Sequence, residues 1–581
     1  MKTRRESITG IWLALFLAAC SSDEGTTNPN TPPTVTGGAS GAVGGTPSTN
    51  GGSPASPAGG TPGTPNGGSP ATPVAGAGGR GGSTPPAGGG NPGGPTGGMP
   101  TSTGGATMGG GGAVTTGGTP SAGGAPASGG GGAAPTAGTP PVVSEPQLVT
   151  SANGAWWKTD GTVTEVTDGT ADITVNDSPK QNWTGFGGTF NEKGWEALMA
   201  LSEADRAQAI QLLFGVDGAN FANGRIPIGA SDYASSRYTL NDNAGDTAME
   251  KFSIDRDKMK LIPYIKAAMG VKSNILFWGS PWTPPPWMKD NNAYDRGNMK
   301  DDATTLKAFA VYLSKFVEEY GKEGIKIDAI HPQNEPGYVQ DYPSCGWTGA
   351  LFAKFIGTYL GPTFAERNVT ARIFVGTMSN STNDATVLRT TMMDGTAKAL
   401  VKGYGLQWGM IDVYGNLGLD TGLEIWQTEH KCGNYPWMGG DASRAPNDMA
   451  YGVESWGLIR DWIRKGVTSY SAWNMVLDTI GRSLDTVRPW AQNALLAVDV
   501  SGKKLVITPT YYVFRHVSQF TDVGAKVLTA SGDALAWKNP DGSSVAVIYN
   551  GGGAKKMIVS MAGKKLQFDA PGNGWATVNW K

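Results

Sequence analysis

The chain is 581 residues long, with 46 basic against 48 acidic side chains, a formal net charge of −2 and a pI near 6.0. No basic run stands out, and nothing points to nucleic acid as a partner. The three histidines, His331, His430 and His516, are isolated in sequence, so a metal centre or a Ser-His-Asp triad has little to build on, and no cofactor is expected.

Met1-Lys2-Thr3-Arg4-Arg5 is basic and leads into an apolar run from Ile11 to Ala19 that stops at Cys20. This is the pattern of a secretory signal, too short to span a bilayer. Leu17-Ala18-Ala19-Cys20 resembles a bacterial lipobox, in which the cysteine is lipidated and becomes the mature N-terminus; an ordinary signal with an incidental cysteine is the alternative. Residues 1–20 are read as a lipoprotein-type signal. The protein is then exported to the outer membrane or cell surface and meets the membrane through its lipid only. From Gly25 to Val143 there is no aromatic residue and one charge, Arg80. Such a stretch cannot bury enough apolar surface to offset its ordering entropy. Residues 21–143 are expected to be a disordered linker, with an r.m.s. reach on the order of 60 Å.

All 19 tryptophans except Trp12 lie beyond the linker. Short alternating stretches from Leu148 to Val175, separated by Gly and Asp, predict antiparallel strands. Next, Ser202-Glu203-Ala204-Asp205 opens a helix that Gly215 closes. Strand candidates are Gly185–Phe190, Gly224–Ile228, Ser273–Trp278, Ile325–Ile330, Ala371–Val375, Gly403–Trp408, Leu423–Trp426 and Thr468–Trp473. Helical patterns such as Met259–Met269, Leu306–Tyr320 and Ala450–Arg464 fill the intervals, and a second β-rich block spans Thr508–Lys581. The alternation predicts an α/β fold, a (β/α)8 TIM barrel over 184–490, with an all-β side domain assembled from 144–183 and 491–581.

Two glutamates follow apolar runs. Glu335 lies in His331-Pro332-Gln333-Asn334-Glu335-Pro336 and Glu429 in Ile425-Trp426-Gln427-Thr428-Glu429-His430. Both fall at C-terminal ends of expected strands, where barrel enzymes keep their chemistry. Retaining glycoside hydrolysis needs two carboxylates in such places, one to protonate the leaving oxygen and one to attack the anomeric carbon. In isolation, Asn-Glu-Pro would read as a strand-ending turn.

Further motifs accompany them: Gly185-Phe186-Gly187-Gly188, Arg225-Ile226-Pro227-Ile228-Gly229-Ala230-Ser231-Asp232, Ser280-Pro281-Trp282-Thr283-Pro284-Pro285-Pro286-Trp287-Met288-Lys289 and Trp473-Asn474. With Gln333-Asn334-Glu335-Pro336 and Thr428-Glu429 in the same order, the chain resembles glycoside hydrolase family 30. These are retaining β-glycosidases that include glucosylceramidases, β-1,6-glucanases, β-1,6-galactanases and xylanases. The resemblance implies a barrel with a β side domain, Glu335 as acid/base and Glu429 as nucleophile. It also implies that Asn334 bonds the sugar 2-hydroxyl, that Arg225 keeps Glu429 ionised, and that Asp232, Trp282 and Trp473 line the sugar pocket.

Many members carry a His and a nearby Tyr at the end of the sixth strand, where this chain has Gln407 and Gly409. Tyr414 and Tyr435 are candidates to replace that tyrosine. The expected substrate is a β-linked glycan or glycoside of glucosylceramidase or β-1,6-glucanase type. The alternatives are an endo-β-1,6-galactanase, a xylanase, or a surface carbohydrate-binding protein without turnover, and a monomer is expected. Cys345 and Cys432 each follow one of the two glutamates in a loop on the same barrel face, and an exported protein meets an oxidising compartment. A Cys345–Cys432 disulfide is expected, with two unrelated buried thiols as the alternative.

Overall fold

The computed structural model describes residues 145–419, 422–434, 448–487 and 490–581. The signal, the linker, Cys20 and Tyr435 lie outside the described residues. Eight parallel strands close into a barrel: Gly185–Thr189, Asn223–Pro227, Leu276–Ser280, Ile327–Ile330, Arg372–Met378, Val401–Gln407, Glu424–His430 and Ser469–Asn474. The eighth returns to the first through Ser469 beside Gly185 and Tyr470 beside Phe186. Every expected barrel strand is present. The third and seventh run further toward their C-terminal ends than apolarity suggested, because Ser280, Gln427, Thr428 and Glu429 are polar yet buried in the barrel. Gly187 reflects a close approach between strands: a Cβ there would lie 2.0 Å from the Asn223 carbonyl oxygen.

Helices occupy the intervals. Glu203–Phe214 starts at Ser202, whose hydroxyl accepts from Asp205 N, and stops at Gly215, as the sequence pattern requires. Leu261–Val271, Ala303–Lys322 and Met449–Arg464 match the other helical patterns to within a few residues. One barrel helix, Pro509–Ser518, lies beyond residue 490, so the expected border there falls inside the barrel's own chain. Thr508 caps it by accepting from Tyr511 N, and Pro509 stands at the first turn, where its missing N–H is harmless. Its Tyr511 hydroxyl donates to the Leu212 carbonyl, and Tyr511, Phe514 and Val517 are buried in the main core. Between the eighth strand and this helix sits a three-stranded sheet, Val476–Asp478, Leu496–Asp499 and Lys504–Ile507.

The side domain draws strands from both ends of the described chain. Gln147–Ala152 pairs antiparallel with Gly574–Trp580, and Lys526–Ala530 pairs antiparallel with Ile173–Asn182. Its own core includes Leu148, Val175, Ile548, Val559, Phe568 and Val578. The domain is fixed to the barrel through the helix Met449–Arg464: Trp456 Nε1 and Arg460 Nη1 both reach Asp533 Oδ1 at 2.7 Å, and Arg464 Nη2 donates to the Gly532 and Ala534 carbonyls. Trp537, fully buried on the strand Ala534–Lys538, meets Trp183 at 6.3 Å and Phe186 at 6.2 Å between ring centroids. Removing a fully buried tryptophan loses transfer free energy and leaves a cavity. Trp537→Ala is therefore expected to lower the unfolding free energy by about 3–5 kcal/mol, read from the urea midpoint at constant m-value.

Candidate active site

The C-terminal end of the barrel gathers Arg225, Asp232, Trp282, Asn334, Glu335, Glu429 and Trp473. Arg225, on the second strand, is fully buried and uses all five guanidinium hydrogens. Nε donates to Ser280 Oγ at 3.1 Å, and Nη1 to Glu429 Oε2 at 2.6 Å and the Thr428 carbonyl at 3.4 Å. Nη2 donates to Asn334 Oδ1 at 2.7 Å and Thr377 Oγ1 at 3.3 Å. Asn334 Oδ1 also accepts from Thr377 Oγ1 at 2.7 Å. That oxygen is therefore committed, and the amide N–H groups are what Asn334 can offer a ligand.

The two glutamates are nearly equally buried, at 6 % exposure for Glu335 and 5 % for Glu429, but their surroundings differ. Burial raises both above the ordinary carboxylate range. At Glu429 the Arg225 charge and hydrogen bond oppose that rise. At Glu335 the nearby Glu429 charge adds to it, as does Asp384, so Glu335 is held well above its usual value. Glu335 Oε2 accepts from the Tyr342 hydroxyl at 3.1 Å. The two carboxyls thus sit in different electrostatic surroundings, Glu429 beside a matched cation and Glu335 beside a neighbouring negative charge.

Glu335 has a φ of 47°, a left-handed conformation that costs a non-glycine residue free energy and clusters at functional sites. Several bonds hold it there. Its N–H donates to the Thr377 carbonyl at 2.9 Å, and Gly337 N donates to Asp384 Oδ1 at 2.7 Å. Asp384, pushed up to about 6 by burial, also accepts from Ser379 N. Lys289 ties the neighbouring loops: buried, it donates to Thr283 Oγ1 and to the carbonyls of Tyr294 and Ser344. Burial lowers its ammonium to about 8.

Trp282 and Trp473 stack on each other with centroids 5.2 Å apart and planes 18° apart, and the Arg225 guanidinium lies 4.2 Å from the Trp282 ring centre. Asp232 is buried, and burial together with Glu429's charge raises it well above its usual value, while Arg225 and the Trp473 indole favour its charge. Tyr342, which sequence reasoning did not single out, sits in a loop with no periodicity to mark it. Its hydroxyl donates to Glu335. Tyr414 instead donates to the Leu419 carbonyl, at 3.1 Å.

The expected disulfide is absent: Cys345 and Cys432 are both buried free thiols. Their glutamates belong to the loop after the fourth strand and to the end of the seventh, which the fifth and sixth separate around the barrel. Cys345 lies near Lys289 on the loop held by Ser344, and burial pushes its thiol up to about 12. Cys432 Sγ faces the Asn474 carbonyl of the eighth strand at 3.6 Å. The histidines are structural. His331 Nδ1 bonds the Gly376 carbonyl, His430 bonds Ser455 and Tyr470, and His516 bonds Thr577, with burial lowering each ring to about 3.

Residues 183–521 match the glycosyl hydrolase family 30 TIM-barrel domain. The chain belongs to glycosyl hydrolase family 30. It is a glycoside hydrolase. The family 30 chain is 27% identical over 429 residues to putative glucosylceramidase 3 of Caenorhabditis elegans, covering 68% of this chain and 76% of that one. It is 26% identical over 457 residues to endo-1,6-beta-D-glucanase neg1 of Aspergillus fumigatus, covering 71% and 88%. Among solved structures, SrfJ from Salmonella typhimurium shares the fold with a TM-score of 0.66 at 22% identity, covering 75% of this chain and 99% of that one.

The Arg225–Glu429 pair gives a test with a worked sign. Arg225 favours the charged form of Glu429, so removing it raises the Glu429 pKa, and the acid limb of a kcat/KM profile governed by that carboxylate moves to higher pH. Arg225→Met is expected to show this shift and to lose about 3–5 kcal/mol of stability, since it leaves a buried charge unpaired. Arg225→Lys keeps a charge without the planar fork and is expected to fall between the two. The pH profile on an aryl β-glycoside and a urea melt check both.

Proposed function

We propose that this glycoside hydrolase cleaves a β-linked glucosyl bond, in a small glucoside or in β-1,6-glucan, by double displacement with retention, Glu335 serving as acid/base and Glu429 as nucleophile. The observation that carries the reading is the asymmetry of the two buried carboxyls: Glu429 is hydrogen-bonded to the Arg225 guanidinium, whereas Glu335 accepts from the neutral Tyr342 hydroxyl and is raised by the charge of Glu429. The glucosyl assignment rests on two relatives named a glucosylceramidase and an endo-1,6-beta-D-glucanase.

In the first step Glu335 gives its proton to the glycosidic oxygen as that oxygen leaves C1, and a Glu429 oxygen forms the new bond to C1. In the second, Glu335 takes a proton from water, whose oxygen attacks C1 and releases the Glu429 carboxylate. Asn334, with its oxygen held by Arg225 and Thr377, presents N–H to the 2-hydroxyl, a contact that strengthens in the transition state. Asp232, Trp282 and Trp473 shape the remainder of the sugar pocket.

Glu429→Ala is expected to lose almost all turnover. Glu335→Ala is expected to lose roughly 10²–10⁴-fold on glycosides with poor leaving groups, and far less on those with good ones, which need little protonation. NMR of the first product is expected to show the β-anomer; the α-anomer would refute retention.

We also propose that the enzyme is tethered to a membrane by lipid on Cys20, with residues 21–143 supplying reach. Support comes from the Leu17–Cys20 box and from a linker without aromatic side chains. Cys20→Ser is expected to move the protein from the membrane to the soluble fraction. Deleting residues 21–143 is expected to leave kcat/KM on small glycosides unchanged, and a large loss would refute a passive tether.

A further inference from the structure

The sixth barrel strand ends at Gln407, whose side chain is fully buried. It is paired in register with Glu429 on the seventh strand, and its amide faces Glu335 closely enough to favour that carboxyl's charged form. Yet among the described residues neither Nε2 nor Oε1 has a hydrogen-bond partner of normal geometry. Buried amides are normally paired, and leaving donors and acceptor unmade is costly. Gln333, another buried amide at the same barrel end, follows that rule: it donates to the Trp282 and Asn334 carbonyls and accepts from Trp347 Nε1.

Two further observations set Gln407 apart from a packing defect. Trp408, the next residue, has a φ of 52°, so the chain adopts a left-handed turn directly after Gln407. Among the described residues the Oδ1 atom of Asp232 likewise is buried without a hydrogen-bond partner. Among those residues Asp232 and Gln407 thus both hold an unpaired buried atom, and both interact electrostatically with Glu335.

We propose that Gln407 is a substrate-binding residue whose amide is completed by hydroxyls of a bound sugar beside Glu335, Nε2 donating to one hydroxyl oxygen and Oε1 accepting from an O–H. The ligand class is a polyhydroxylated ring, because only a group that both donates and accepts satisfies both ends of the amide. Hydrogen bonds that lie long in the free enzyme tighten when substrate is bound. An amide also keeps the same charge across the working pH range, so the contact serves both halves of the reaction unchanged. The inference rests on the glycosidase reading above.

The test compares the full chain with Gln407→Leu, in which an apolar side chain of similar volume replaces the amide. On the aryl β-glycoside that the wild type turns over fastest, kcat/KM is expected to fall on the order of 10- to 100-fold. The melting temperature is expected to stay the same or rise, because an unpaired buried amide has been removed. Among monodeoxy versions of that glycoside, one is expected to be hydrolysed equally by both proteins, which identifies the hydroxyl. An active wild type whose kcat/KM is unchanged by Gln407→Leu, or a variant whose melting temperature drops by several degrees, overturns this inference alone. A wild type inert on every β-glycoside overturns the glycosidase reading and this inference together.

Discussion

The buried guanidinium of Arg225 is the constraint on which the site depends. A fully desolvated charge is tolerated only when it is paired and its hydrogens are used, and here each of the five finds an acceptor. Those acceptors come from the third, fifth and seventh strands and from the residue Asn334 just past the fourth. Arg225 itself is on the second. One side chain therefore fixes the relative positions of five of the eight units and orients both Asn334 and Glu429. An ammonium at the same place would offer three hydrogens on a flexible stem and could not span the same set.

Glu335 is held by different means. Its backbone is turned into the left-handed region and kept there by the Thr377 carbonyl, the Asp384 clamp on Gly337 and the Tyr342 hydroxyl. Such strain persists only where neighbouring contacts over-determine it. Lys289 adds a tie between the loops after the third and fourth strands. Arg225 acts on the two carboxyls differently: it bonds Glu429 directly, and its hydrogen bonds lead to Glu335 through Asn334 and Thr377, the residues that flank and hold its backbone.

Much of this was legible in the sequence because a parallel barrel buries its strands on both faces, so each strand reads as a short apolar run. The runs before Glu335 and Glu429 located both carboxyls at strand ends. Other features left no such trace. Tyr342 is one tyrosine in an aperiodic loop, and only the fold brings its hydroxyl to Glu335. The helix Pro509–Ser518 falls at the start of the block expected to be β-rich, and only the packing of Tyr511, Phe514 and Val517 into the main core assigns it to the barrel. The disulfide expectation failed because the two thiols are packed toward different partners: Cys432 Sγ faces the Asn474 carbonyl of the eighth strand, while Cys345 lies beside Lys289. Gln407 was visible as a departure from the family pattern, while its lack of partners could be seen only with the packed barrel around it.

The electrostatic arrangement also bears on how one residue could act first as acid and then as base in the proposed reaction. Part of what raises the Glu335 pKa is the negative charge of Glu429 close by. Once Glu429 is esterified to C1 its charge is gone, and that contribution to the Glu335 pKa goes with it. Glu335 has by then donated its proton, so it remains as the carboxylate needed to accept one from water. When the ester is hydrolysed, the Glu429 charge returns, the Glu335 pKa rises again, and the starting state is restored. Arg225 acts in the opposite sense throughout. It favours Glu429 as the departing carboxylate in the second step as much as it favours the attacking carboxylate in the first.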